Sequence, residues 1–85
     1  STVFKWWKQT LNEASANYSI PFLVFRKNLH PWYIMFHRRI ADRLKVSKKW
    51  DTLSLRKHGV VIMHLSNFFL GVKPEDIKKI ASEAD

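Results

Sequence analysis

The sequence predicts a small α/β (α+β) domain: a mixed sheet centred on a β-hairpin, flanked by an amino-terminal and a carboxyl-terminal helix. Three observations predict it. Apolar residues recur at three- and four-residue steps across positions 1–18. Three runs, 22–25, 32–36 and 60–65, have strand length and are rich in β-branched and aromatic residues. Pro74, followed by Glu75 and Asp76, makes an ordinary helix start, with proline at the first helical position and acids in the first turn.

In chain order, Val3, Trp7, Leu11, Ala14 and Tyr18 share one face of the first helix, and Phe4 widens the stripe. Ser1 or Thr2 is available as its cap. Asn17, Ser19 and Pro21 end it. The runs 22–25 and 32–36 then form a hairpin across a loop of roughly four residues, with Asn28 and Pro31 suited to the turn. Over 39–46 a short helix is expected, lined by Ile40, Leu44 and Val46, with Asp42 near its start and Lys45 near its end; an extended basic arm is the competing reading. Residues 53–57 alternate like a half-buried strand. His58-Gly59 marks a turn, and 60–65 is a strand apolar on both faces. Ser66 is placed to cap a short helical turn over 67–70, ended by Gly71. The last helix runs over 74–84 with a thin stripe of Ile77, Ile80, Ala81 and Ala84.

Three strands apolar on both faces need more cover than one long helix and two weak ones supply. The expectation is therefore a homodimer, or a chain that is one part of a larger domain completed by a complementary segment. With 85 residues there is room for one domain. The absence of cysteine excludes disulfides and thiolate metal sites and fits a cytoplasmic protein. No apolar run reaches the ~20 residues of a membrane span, so no membrane partner is expected.

The formal net charge is +8 and the pI about 10.1. The excess is concentrated in residues 26–57, where ten Lys or Arg face only Asp42 and Asp51. Such a field favours a polyanion, above all nucleic acid. The residues expected to contact phosphates are Arg26, Lys27, Arg38, Arg39, Arg43, Lys48 and Lys49. Trp50, in a polar setting, is expected at an interface where it stacks on a base. Trp6, Trp7 and Trp32 read as core. Nothing in the sequence reads base edges, so recognition by shape and backbone is expected. The alternative is a protein-interaction or dimerisation module docking through apolar sheet surface.

Catalytic chemistry has little support. Of seven acids, four lie at or after Glu75, on or beside one helix. Asp76-Ile77-Lys78 has the letters of a D-x-K motif but falls at a helix start. The four histidines have no metal-ligand spacing; His37 and His64 each end an apolar strand, and His30 and His58 read as turn residues. No metal site is expected. Two glycines in the whole chain exclude a glycine-rich phosphate loop.

The segments K-W-W-K-Q-T-L-N-E-A (from Lys5) and I-P-F-L-V-F-R-K-N-L-H-P-W-Y-I-M-F (from Ile20) resemble part of the phage-type Holliday-junction resolvases, nucleases of the restriction-endonuclease-like PD-(D/E)XK fold. V-V-I-M-H-L-S-N-F-F (from Val60) is similar to that family's late strand and following helix. Together they cover about two thirds of the chain. The resemblance implies DNA, including branched DNA, as the partner. In that family the metal-binding Asp and the Glu-x-Lys lie upstream of the W-W-x-Q helix and have no counterpart here. The resemblance thus implies a carboxyl-terminal part of such a nuclease or a relative without catalytic residues, which leaves open whether the chain is an enzyme. It implies no cofactor in this chain, Mg²⁺ entering only if the missing catalytic part is supplied. Of the family's functional positions Gln9 carries over, with Lys5 beside it.

Overall fold

The computed structural model describes residues 2–83, and of Asp51 and Thr52 the backbone alone. The elements are α1 (Thr2–Ala16), β1 (Leu23–Phe25), β2 (Tyr33–His37), α2 (Arg38–Arg43), β3 (Asp51–Leu55), β4 (Val60–His64), α3 (Leu65–Gly71) and α4 (Pro74–Glu83), with single 3₁₀ turns at Lys48–Trp50 and Arg56–His58. Ser1 and Ala84, expected as a cap and as the last apolar position, lie outside the described residues. The fold is mixed α+β: one four-stranded antiparallel sheet in the order β1-β2-β4-β3, with helices at both chain ends.

The central pair is β2 and β4, in register from Tyr33↔His64 to His37↔Val60. Because side chains alternate across a strand, each contributes to two cores. Ile34, Phe36, Val61 and Met63 face α2, α3 and α4 and pack with Ile40, Phe68 and Ile80. Met35, Val60 and Ile62 face α1 and pack on Trp7, with Val3, Phe4 and Leu11 beside it. Phe36 is wholly buried between the rings of Phe22 and Phe68, at centroid distances of 5.4 and 5.3 Å. The chain's own helices therefore cover both faces of the central strands. The shortage of cover expected from sequence does not arise there, because α3 is a full seven-residue helix and α2 a helix rather than a basic arm. Exposed apolar surface is found instead at Val24 and Leu53 on the edge strands, at Leu29 in the hairpin loop and at Phe69 and Leu70 on α3.

Several boundaries differ from expectation for local reasons. Both α1 and α2 end in a Schellman motif. Ser19 N–H donates to Ala14 O (2.9 Å) and Tyr18 N–H to Ser15 O; Val46 N–H donates to Ala41 O (3.0 Å) and Lys45 N–H to Asp42 O. The left-handed positions are filled by Tyr18 (φ 50°) and Lys45 (φ 60°), where glycine is usual. The turn swings Tyr18 out of the α1 stripe to 96% exposure. It also ends α2 at Arg43, so Asp42 lies in the last turn and not near the start.

The hairpin loop spans seven residues, 26–32, instead of about four, and its positive φ falls on Leu29 rather than Asn28. β3 runs two residues earlier than expected because Arg56–His58 closes a 3₁₀ turn onto Gly59 (φ 64°). Ser66 lies inside α3, which is preceded by His64. At the start of α4 the Asp76 carboxylate accepts the Lys73 backbone N–H at 2.9 Å, one half of a capping box.

Candidate nucleic-acid interface

The antiparallel registers determine where the charges go. β2 ends at His37 beside Val60, and the next residue, Arg38, donates its backbone N–H to Gly59 O at 2.8 Å. Leu55 pairs with Val60, so the turn after it carries Arg56 to the same end of the sheet. Ser54 lies opposite Val61 and shares the face on which α2 packs, and the Arg38 guanidinium reaches its hydroxyl at 3.4 Å. Lys48 comes in from the 3₁₀ turn beyond α2. The result is an open cleft of about 630 Å³ lined by Arg38, Lys48, Ser54, Arg56, Gly59 and Val60. Three cations and a hydroxyl converge there, and among the described residues no carboxylate is in the lining, a donor set that suits a phosphate.

Arg39 and Arg43 do not join that cleft. They line a second cavity, about 460 Å³, with Tyr18, His37 and Ile80. Arg43 is ion-paired with Glu83. His37 has a buried Nδ1 and packs edge-on against Trp7 at 5.3 Å. Burial, and secondarily the Arg39 charge, hold its pKa below the ordinary 6.5. His37 and His64 lie at opposite ends of the β2–β4 ladder, so these two strand-end histidines do not meet. Among the described residues no group of three or more His, Asp or Glu could hold a metal ion.

Arg26 and Lys27 lie at the hairpin loop, at the other end of β2, where the Arg26 guanidinium stacks 4.9 Å over the Trp32 ring. Of the three tryptophans expected in the core only Trp7 is there; Trp6 and Trp32 are 42% and 48% exposed. Trp32 lies just outside β2, and Trp6 lies on a different side of α1 from Trp7. Trp50, by contrast, is half-buried against the α2–α4 core. Its ring comes within 3.0 Å of where a Cβ on Gly71 would be, and Lys49 lies 5.9 Å from its centroid. Lys5 and Gln9 are exposed on the outer side of α1, where Gln9 Nε2 donates to Glu13 at 3.2 Å. Neither lines the Arg38 cleft.

Seven of the ten cations of the middle segment are thus distributed over three regions rather than one. Sequence reasoning passed over Arg56 and Ser54. The one signal available was the His58-Gly59 turn, which folds the strand before it back onto the start of β4.

Residues 1–79 match the family described as "Phage putative PDDEXK endonuclease". No curated protein and no solved structure matches the chain. Among the described residues no helix is long and apolar enough to cross a membrane.

Proposed function

The chain belongs to the phage PDDEXK endonuclease family, and from that premise we propose that it binds the DNA backbone through the Arg38–Lys48–Arg56 cleft. The observation that carries this reading is the convergence of three cations and the Ser54 hydroxyl on one cleft. Guanidinium groups meet phosphate oxygens in a bidentate way and a lysine adds a point charge, so the cleft fits phosphate without reading sequence. Arg26, Lys27, Arg39 and Lys49 add to the positive field that draws DNA in, whereas Arg43 is paired with Glu83. The likeness to the non-catalytic part of the Holliday-junction resolvases supports a branched substrate, with hydrolysis depending on carboxylates and Mg²⁺ supplied from outside these residues.

The test is fluorescence anisotropy with labelled duplex and four-way-junction DNA at one fixed low salt concentration. Changing Arg38, Lys48 and Arg56 together to Ala is expected to weaken binding at least tenfold. Unchanged affinity would remove the cleft from the interface.

A further inference from the structure

A second surface, at the opposite end of β2 and on the α1 side of the sheet, has a different chemistry. Two adjoining clefts of about 470 and 420 Å³ share Trp6, Phe25 and Arg26. The first adds Lys27, His30 and Tyr33, the second Trp32. Among the described residues no carboxylate is in either lining. Trp6 and Trp32, each close to half exposed, present ring surface to solvent, and the Arg26 guanidinium carbon stands over the Trp32 ring, 4.9 Å from its centroid. Tyr33 is held between Phe25 (5.8 Å) and His64 (4.9 Å), which fixes the wall of the cleft.

We infer that this hairpin surface is a stacking site for an unpaired nucleobase of single-stranded or branched nucleic acid. The base would extend the Trp32–Arg26 stack or lie on Trp6, while Lys27 and His30 face its phosphate. Exposed aromatic rings amid cations are complementary to a ligand that is flat, apolar on its faces and negatively charged along its backbone. A peptide strand added to the β1 edge is the rival occupant. It would need neither the exposed rings nor the positive charge.

The inference rests on the reading of the chain as a nucleic-acid binder, but uses a different corner of the molecule from the Arg38 cleft. The two sites can therefore fail separately. The probe is a labelled thymidylate dodecamer, compared with an abasic dodecamer of the same backbone at one salt concentration. The wild-type chain is expected to bind the thymidylate strand at least about fivefold more tightly than the abasic one, the low end of what one stacked base contributes. Trp32→Ala and Trp6→Ala should each lose much of that difference. Trp32→Phe should keep most of it. Arg26→Lys, which retains charge without the planar group, should lose part of it. Equal affinity of the wild-type chain for the two strands would overturn the site, whatever the variants do. If the cleft triple variant weakens both strands while the tryptophan variants change neither, phosphate binding stands and the base site falls. If neither strand binds, both readings fall.

Discussion

The salt dependence of DNA binding should separate the cleft cations from the rest of the positive charge. Each phosphate neutralised on B-DNA contributes about −0.9 to the slope of log K against log[salt]. If Arg38, Lys48 and Arg56 each meet one phosphate, changing all three to Ala flattens the slope by about 2.7. Between 50 and 200 mM salt that amounts to roughly a 40-fold change in the ratio of wild-type to variant affinity. Arg43 makes the control. Its charge is already balanced by Glu83 on the neighbouring helix, so Arg43→Ala should move the slope by well under one. The assay is anisotropy across five or six salt concentrations with one labelled duplex. A slope unchanged in the triple variant, or flattened as much by Arg43→Ala as by one cleft substitution, would refute the claim that the cleft gathers the contacts. In that case binding is a diffuse property of the +8 charge.

Three further outcomes follow from the packing. Phe36→Ala should cost about 3–5 kcal/mol, a large fraction of the ~4–13 kcal/mol expected for a chain of this length; a urea midpoint near wild type would show that the ring is not at the centre of the core. Tyr18→Gly should stabilise by up to about 1 kcal/mol, because a left-handed, almost fully exposed tyrosine loses little contact on removal; a lower melting temperature would argue against the Schellman end of α1. For His37, the unfolded chain takes up a proton near the ordinary 6.5 while the folded chain resists it until lower pH. Stability present above that value should thus be lost as pH falls from about 6.5 toward the folded pKa, and the melting temperature of His37→Gln should fall less steeply than wild type between pH 7 and 5; parallel profiles would rule His37 out as the cause.

The strands were legible because β-branched and aromatic runs of the right length leave few alternatives, and Val60 to Met63 lie where the apolar run put them. The helix around Pro74 was legible for the same local reason: proline and two acids signal a start without help from the rest of the chain. What the sequence did not show was how far a turn carries a residue. Tyr18 fits the α1 period perfectly, yet the left-handed turn at its own backbone turns it out to solvent. Trp32 belongs by composition to the apolar run of β2, but the ladder begins at Tyr33 and leaves the indole at the rim. The apparent shortage of cover came from the same blindness. Residues 67–70, without charges or strong periodicity, suggest only a helical turn after a strand ending at Leu65, whereas Leu65–Gly71 is the helix that sets Phe68 against Phe36.

A run of cations in sequence is a patch only if the backbone between them is straight. Here the segment from Arg38 to Arg56 passes through a helix, a left-handed turn, a 3₁₀ turn and an edge strand. Neighbours such as Arg38 and Arg39 consequently line different cavities, while Arg38 and Arg56, far apart in sequence, line the same one. The two kinds of electrostatics therefore divide. The long-range field depends on the total charge and is nearly indifferent to this rearrangement, so composition alone was enough to suggest a polyanion and to anticipate steered association. Short-range contact depends on which three groups converge, and that is decided by the pairing of Leu55 with Val60 and of His37 with Val60. Charge composition should accordingly govern how fast DNA arrives, and strand register how long it stays.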